Sequence, residues 1–173
     1  MKIDLMRKVD YFAGIPLCFL ATLLVRSITG LLAGQEHAPP QNVLFIELSE
    51  MGSAILVDPA MRKMRRVANA ELYFLIFRSN AASLRMLGTV PENNVFTIRE
   101  DNFINLALDS LRFLFWARRR GIDTVIDLEL FSRYSALLTG LSGAVKRIGF
   151  HAFNDEGLYR GHMLTHRVAY NAH

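Results

Sequence analysis

The sequence predicts a Rossmann-like α/β domain, in which a parallel sheet carries helices on both faces, preceded by an apolar N-terminal helix. Short apolar runs rich in β-forming residues alternate with longer stretches of helical character from Asn42 onwards. The resulting order, β-α-β-α-β-α-β-α-β, requires right-handed crossovers and therefore a parallel sheet between two layers of helices. The 173 residues are 51% hydrophobic and 21% charged, which suits one domain with a packed core.

Residues 1–34 are predicted to form an apolar membrane-associating segment. Residues 11–25 read YFAGIPLCFLATLLV and contain no charge. This run is shorter than the roughly twenty apolar residues that a bilayer-spanning helix needs, so we expect the segment to lie in or dip into the cytoplasmic leaflet. The basic residues around it fit that placement; they are Lys2, Arg7, Lys8 and Arg26.

Two other interpretations of this segment stay open. A secretory signal peptide would have a basic start and a cleavage site at residues 31–34, although Asp4 and Asp10 do not belong in such a start. A soluble helix that packs on the domain is the second. Residues 35–41 (QEHAPPQ) are predicted to form an extended linker because of their paired prolines, so the domain itself spans residues 42–173.

The elements of the domain follow in order from the first apolar run. Its strands are predicted at Asn42–Leu48, Glu71–Phe77, Val95–Ile98, Thr124–Leu128 and Arg147–Phe150. Its helices are predicted at Ala54–Val67, Ala81–Leu87, Phe103–Arg119 and Ser132–Leu141. Asp58 and Pro59 fit an N-cap and a first-turn proline, so we expect the first helix to restart there. The longest helix carries an apolar stripe that we expect to face the core; it consists of Ile104, Leu108, Leu111 and Phe115.

The content of cysteine, histidine and basic residues narrows the chemistry. A single cysteine, Cys18, cannot build a disulfide or a cysteine-based zinc site, the histidines lack metal-binding spacing, and no metal or cofactor is predicted. The basic clusters at residues 62–66 and 118–120 fit the solvated C-terminal ends of helices, or contacts to phosphate or anionic lipid. Aromatic residues do not alternate with them, so no nucleic-acid partner is predicted.

The candidate site lies at the carboxyl ends of the strands, where open parallel sheets bind their ligands. Two loops stand out there, Ser49–Ser53 and Asp127–Glu129. The first precedes a helix whose free amides can hold an anion, but it lacks the patterns of nucleotide-binding loops. Glu50 and Glu129 are the candidate general bases toward a hydroxyl group. Both could instead be solvated loop carboxylates, and Ser53 an ordinary helix N-cap.

Two blocks of the sequence resemble glycosyltransferase family 9, the ADP-heptose:lipopolysaccharide heptosyltransferases. Residues 42–65 read NVLFIELSEMGSAILVDPAMRKMR and resemble the family's opening strand, its loop ending in Met/Leu-Gly-Asp, and the helix that follows. Residues 123–150 read DTVIDLELFSRYSALLTGLSGAVKRIGF and resemble its later D-x-V-I-D-L strand, R-x-S-A-L helix and S-G-A-x-x-R-I-G-F block. The resemblance covers these two blocks, in the family's own order.

The resemblance implies the N-terminal, acceptor-binding half of a two-domain GT-B enzyme that transfers a sugar with inversion and without a metal. The donor would be a nucleotide sugar such as ADP-heptose, held mainly by a C-terminal domain. The acceptor would be lipopolysaccharide or another membrane glycolipid at the cytoplasmic face of the inner membrane. The residues expected to bind the acceptor are Ser49, Met51, Gly52 and Arg133.

Two departures from the family pattern bear on activity. Ser53 stands where the family has the loop aspartate proposed as the base, and a serine does not take up the proton unless a second base activates it. Glu50 or Glu129 would have to replace it. The sequence reaches Tyr170–His173 about where the family's first domain ends, so we expect a truncated fragment that is inactive alone. The alternative function is a non-catalytic, membrane-attached Rossmann-like binding module.

Overall fold

The computed structural model of the protein describes residues 12–29, 38–130, 132–151 and 160–169. Its strands are β1 (Asn42–Ile46), β2 (Glu71–Phe77), β3 (Val95–Ile98), β4 (Thr124–Asp127), β5 (Lys146–Phe150) and β6 (His166–Val168). Its helices are α1 (Gly14–Thr29), α2 (Met51–Leu56), α3 (Asp58–Ala68), α4 (Ala82–Leu87), α5 (Phe103–Arg119) and α6 (Arg133–Leu141), with 3-10 turns at Arg78–Asn80 and Glu92–Asn94. The predictions that lie outside the described residues concern Lys2, Arg7, Lys8, the side chain of Arg26, residues 31–34, the start of the linker at 35–37, and Tyr170–His173.

One parallel sheet, in the order β3-β2-β1-β4-β5-β6, organises the domain. β1 lies at its centre, with Phe45 opposite Phe74 of β2 and Ile126 of β4. The chain adds β2 and β3 on one side of β1 and then β4, β5 and β6 on the other, so the strand order reverses between β1 and β4. The predicted parallel sheet of a Rossmann-like α/β fold is confirmed.

The continuous apolar run of β1 serves two cores, because successive side chains of a strand point to opposite faces of the sheet. The core beneath α5 and α6 includes Leu44, Ile46, Tyr73, Leu75, Phe113, Ala117 and Leu138. The core beneath α2, α3 and α4 includes Val43, Phe45, Ala54, Met61, Leu72, Phe74 and Leu84. Helices therefore cover both faces, which is why the strands carry no polar face of their own.

The prediction that the apolar stripe of α5 faces the core is wrong. The stripe has the expected helical spacing, but it points away from the sheet. Ile104, Leu111 and Phe115 are 73%, 66% and 70% exposed, and Leu108 is 45% exposed. Spacing alone identifies the stripe; it does not say which of two candidate faces meets the sheet.

The face of α5 that meets the sheet is set by an ion pair and an aromatic contact. The buried residues of the helix are Asp109, Phe113 and Ala117. Asp109 accepts hydrogen bonds from Nε (2.7 Å) and Nη2 (2.8 Å) of Arg99, just beyond β3. Phe113 packs edge-on against Phe96 of β3, with 5.7 Å between the ring centroids. Both contacts place the side of α5 that carries Asp109 and Phe113 against the sheet.

The predicted helix over residues 54–67 divides into α2 and α3 at Val57. Pro59 lies in the first turn of α3, so the predicted restart is confirmed. The predicted N-cap is wrong, since Val57 occupies that position and Asp58 is already helical. The carboxylate of Asp58 instead accepts a hydrogen bond from Nε of Arg62 (2.7 Å).

Three strand boundaries differ from the prediction by one or two residues, and one strand was not predicted. β1 ends at Ile46 rather than at Leu48, and the amide of Leu48 donates to the side chain of Glu129. β6 was not predicted. All three of its residues are exposed and carry no alternating pattern, so periodicity offers no signal for an edge strand of this kind.

α1 packs against α6. Cys18 and Ala21 are buried there, together with Met163 and beside Leu137 and Leu141. Within the described residues, no helix combines the length and the apolar character that a membrane crossing requires.

Candidate functional site

The reversal of strand order brings the loop after β1 beside the loop after β4. In open parallel sheets such a point opens a crevice, because the two chains leave the sheet toward opposite faces. Here the first loop leads to Ala54 in the core beneath α2, and the second leads to Leu138 in the core beneath α6. The amide of Leu128 donates to the carbonyl of Ile46 (2.9 Å), which ties the two loops together at their base.

Glu129 fastens the β4 loop to the β1 loop. Its Oε1 accepts hydrogen bonds from the amides of Leu48 (2.7 Å) and Ser49 (2.8 Å), and from the hydroxyl of Ser49 (2.9 Å). The residue is 8% exposed, so the interpretation of Glu129 as a solvated loop carboxylate is wrong. An oxygen that already accepts three hydrogen bonds is poorly placed to take a proton from a substrate. The geometry therefore supports a structural role for Glu129.

Asn80 holds the same loop from the other side. It ends the 3-10 turn that follows β2, and its Nδ2 donates to the carbonyl oxygens of Leu48 (2.9 Å) and Ser49 (3.1 Å). Because β2 and β4 are the two neighbours of β1, the start of the loop is fixed by both of them.

A further carboxyl group, Glu47, lies beneath the loop. The residue is 3% exposed, and its Oε1 accepts a hydrogen bond from the amide of Glu50 (3.2 Å). Burial, followed by the neighbouring carboxylate of Glu129, raises the pKa of Glu47 to about 8. Glu47 is therefore mostly protonated at neutral pH, which reduces repulsion between the two buried carboxyl groups.

Glu50 and Ser53 form a polar pair on the outer side of the loop. The hydroxyl of Ser53 donates to Oε2 of Glu50 over 2.9 Å, and Glu50 is exposed. α2 begins at Met51, so Glu50 occupies the N-cap position and the interpretation of Ser53 as the N-cap is wrong. A solvent-accessible carboxylate beside a hydroxyl group is able to receive a proton from a bound alcohol.

Met51 and Gly52 leave this pair open to a ligand. Met51 is 43% exposed. A β-carbon added at Gly52 would meet nothing within 4 Å among the described residues, so there is open space beside Gly52. The amides of Ser49 and Glu50, by contrast, already donate to carboxyl oxygens of Glu129 and Glu47 and are not available to an anion.

Arg133 is buried rather than exposed at the loop. The residue is 3% exposed. α1 passes so close to it that a β-carbon at Gly14 would lie 2.8 Å from Cδ of Arg133. The structure thus places Arg133 beneath α1, and contact with an acceptor would require α1 to move.

Asp127, at the end of β4, belongs to a buried ion pair. Its Oδ2 accepts hydrogen bonds from Nη2 of Arg160 (2.9 Å) and from the hydroxyl of Ser135 (3.0 Å). The side chains of Asp127 and Arg160 are 0% and 7% exposed. Burial raises the pKa of Asp127 to about 6, while the charge of Arg160 acts in the opposite direction. This group anchors the segment that leads into β6.

A cleft of about 460 Å³ lies at the other end of the sheet. Leu24 and Val25 of α1 line it together with Arg118 of α5, and so do Asp123 and Val145, which precede β4 and β5. It is therefore separate from the loop of Glu50 and Ser53. The described residues contain no cluster of histidine, cysteine and acidic side chains that could hold a metal ion.

The fold has a counterpart among solved structures. The crystal structure of the glycosyl transferase family 9 protein from Veillonella parvula DSM 2008 matches this chain with a TM-score of 0.58 and 16% sequence identity. The match covers 77% of this chain and 36% of that protein. The two chains share a fold. No protein-family model and no curated protein matches the sequence.

Three residues that shape this site, Glu47, Asn80 and Arg160, were not predicted from the sequence. Glu47 carried a signal, since it is an acidic residue inside the apolar run NVLFIEL. Asn80 and Arg160 carried none, because their partners lie far away in the sequence. Of the predicted residues, Ser49, Glu50, Met51, Gly52 and Ser53 surround one opening, whereas Glu129 and Arg133 are buried.

Proposed function

We propose that the chain is the N-terminal, acceptor-side half of an inverting glycosyltransferase that modifies lipopolysaccharide or another membrane glycolipid. One observation carries the proposal. The exposed pair of Glu50 and Ser53 lies at the crevice between β1 and β4, in a fold shared with a glycosyl transferase family 9 protein. The resemblance of residues 42–65 and 123–150 to the same family supports it from the sequence.

Glu50 is the better of the two candidate bases. It is exposed and accepts a hydrogen bond from Ser53, whereas the Oε1 of Glu129 is occupied by three donors. In the proposed reaction the acceptor hydroxyl gives its proton to Glu50 as its oxygen bonds to the anomeric carbon of the donor. The bond from that carbon to the nucleotide diphosphate breaks, and the electron pair leaves with the diphosphate. Ser53 orients the carboxylate.

The donor belongs to another part of the enzyme. A nucleotide sugar such as ADP-heptose would be held mainly by a second domain of GT-B type, since the match with the family 9 structure spans 36% of that protein. The loop amides of Ser49 and Glu50 already donate to carboxyl oxygens, which agrees with binding of the diphosphate elsewhere. We expect residues 1–173 alone to be inactive.

The substitution Glu50→Gln tests the base in a protein that includes the donor-binding domain. We expect kcat to fall by about 100-fold or more, the usual contribution of a general base, with a smaller change in KM. Ser53→Asp in the Glu50→Gln background should restore part of the activity, because it returns a carboxylate to the loop. Glu92→Gln is the matched control, since the side chain of Glu92 is 81% exposed and lies elsewhere.

Full activity of the Glu50→Gln variant would show that Glu50 is not the base. The binding-module function would gain support if the wild-type protein bound the glycolipid but transferred no sugar to it, because Ser53 already stands where the family has its aspartate. That function predicts that a glycolipid binds the chain without being changed. Calorimetry with the isolated acceptor, compared between the wild type and Gly52→Trp, would detect binding at this loop in either case, since Gly52 borders the opening and has free space around it.

The proposed location is the cytoplasmic face of the inner membrane, with α1 in contact with lipid. α1 turns a broad apolar face outward, formed by Leu17, Phe19, Leu20, Leu23 and Leu24. An apolar helix lying in the interface needs no membrane crossing. A glycolipid acceptor would then be presented beside the domain.

A further inference from the structure

The outer face of α5, defined by Ile104, Leu108, Leu111 and Phe115, is an unpartnered apolar surface on the domain. The four side chains are between 45% and 73% exposed. They recur at helical spacing on the side opposite the buried line of Asp109, Phe113 and Ala117. Scattered apolar residues are normal on a protein surface, but a continuous apolar stripe is typical of a binding surface.

The exposed charges on α5 itself have one sign. The exposed charged residues of α5 are Arg112, Arg118 and Arg119. Its single acidic residue, Asp109, is buried and bound to Arg99. At 100° per residue, Arg118 lies on one side of the stripe, and Arg112 and Arg119 lie on the other. The apolar stripe is thus bordered by cations on both sides.

The outer face of α5 lies on the same side of the sheet as the exposed face of α1. α6 links the two helices, because the hydroxyl of its Tyr134 lies 2.6 Å from Ser110 of α5 while α1 packs on α6. Near their C-terminal ends the two helices border one cleft, to which α1 contributes Leu24 and Val25 and α5 contributes Arg118. The C-terminal parts of the two helices therefore border the same cleft, which is also lined by Asp123 and Arg147.

We propose that the outer face of α5 is a peripheral membrane-binding surface that lies, together with α1, on anionic phospholipid. Amphipathic helices of this kind place apolar side chains among the acyl chains and arginines among the phosphates. Two further acidic residues, Glu100 and Asp101, precede the N-terminus of α5. The basic C-terminal end is therefore the part that meets the headgroups. The proposal does not depend on sugar transfer.

Vesicle sedimentation with the full chain tests the proposal. Vesicles contain equal parts of phosphatidylcholine and phosphatidylglycerol, or phosphatidylcholine alone. We expect the triple variant Ile104→Gln, Leu111→Gln, Phe115→Gln to bind mixed vesicles at least tenfold more weakly than the wild type, because interfacial binding scales with the apolar area inserted. All three residues are exposed, so the fold should be retained, and circular dichroism would verify this.

A matched control exists on the opposite face of the sheet. Leu56, Val67 and Met86 are 81%, 77% and 88% exposed on α2, α3 and α4. Substituting these three by glutamine removes a similar amount of exposed apolar surface, and we expect vesicle binding to change less than about twofold. An equal loss in both triple variants would overturn the proposal, since binding would then depend on general hydrophobicity rather than on α5.

The arginine variant separates lipid charge from apolar insertion. Each arginine near an anionic surface strengthens binding about fivefold, so we expect Arg112→Gln, Arg118→Gln, Arg119→Gln to weaken binding to the mixed vesicles by roughly 100-fold. Binding to phosphatidylcholine alone should stay the same.

The proposal would be contradicted if the wild-type chain bound vesicles with and without phosphatidylglycerol equally well. An α5 variant that binds vesicles normally but changes from dimer to monomer in light scattering would also contradict it. That result would assign the face to a second copy of the chain. No donor or acceptor is present in these assays, so their outcome is independent of the glycosyltransferase proposal.

Discussion

Among single residues, the carboxyl groups near the carboxyl ends of β1 and β4 differ chiefly in their access to water. Glu47 and Asp127 are buried, and burial raises the pKa of both. Glu129 is buried too, with its Oε1 turned to three donors. Glu50 alone in this group is exposed and faces a hydroxyl. Three of these four carboxyl groups therefore have structural roles, and the fourth, Glu50, is the candidate general base.

The buried carboxyl of Glu47 predicts a stability that depends on pH. Its pKa in the folded chain, about 8, is higher than the ordinary value, so the folded state binds the proton more tightly than the unfolded state. Its contribution is fully present below the ordinary pKa of about 4.3 and is lost as pH rises through the folded pKa. Glu47→Gln should remove this dependence, so that the variant becomes more stable relative to the wild type as the pH increases.

Urea unfolding of both proteins across the range from weakly acidic to weakly alkaline pH would measure the effect. Each unit of difference in pKa corresponds to about 1.4 kcal/mol, so the difference in free energy of unfolding should change by a few kcal/mol at most. Parallel curves for the two proteins would contradict the prediction. All other ionisable groups are present in both proteins and cancel in the comparison.

At the scale of elements, α5 shows how a polar contact decides the orientation of a helix. The helix has apolar residues on more than one side, and the chain selects the side that carries Asp109. Hydrogen bonds from Arg99 are the main cause of the lowered pKa of Asp109. The bond from the amide of Arg99 (3.1 Å) also fixes the carboxylate to the end of β3. The position of one acid thus determines which stripe is left in solvent.

Arg99→Ala should destabilise the protein, because the buried carboxylate of Asp109 would lose its closest cation. We expect the thermal midpoint to fall by several degrees and acid unfolding to begin at higher pH. A lowered pKa stabilises the fold above the ordinary value and is lost as pH falls through the folded one. Arg112→Ala is the control. Arg112 also contacts Asp109 (3.2 Å), but its side chain is 66% exposed, and such surface pairs contribute little. Equal effects in calorimetry would refute the assignment.

At the scale of the whole molecule, the order of elements was predictable and their orientation was not. The five predicted strands exist because each is an apolar run long enough to cross a sheet buried on both faces. The loop of Glu50 followed from that order alone. The burial of Glu129 and Arg133 did not follow, because it depends on contacts with Ser49 and with α1 that are distant in sequence. β6 escaped prediction because its three exposed residues carry no alternating pattern.

The contacts of Arg160 predict that this side chain stabilises the packing of the segment leading into β6. Its guanidinium also donates to the carbonyl oxygens of Ser132 (3.0 Å) and Phe150 (2.8 Å). Arg160→Ala should lower the free energy of unfolding by about 3 kcal/mol, the usual result of leaving a buried charge unpaired. Adding Asp127→Asn should recover part of this loss in urea unfolding, because it removes the unpaired charge. No recovery would show that the hydrogen bonds, rather than the charge, carry the effect.

The direction in which α5 runs across the sheet affects how a substrate would reach the crevice. The helix begins beyond the carboxyl end of β3 and ends shortly before the start of β4. It therefore runs from the end of the sheet that carries Glu50 to the opposite end. A domain lying on this helix would hold its strands roughly parallel to the bilayer plane. The crevice would then open sideways, just above the headgroups. Acceptor molecules would reach it by lateral diffusion in two dimensions, without leaving the membrane.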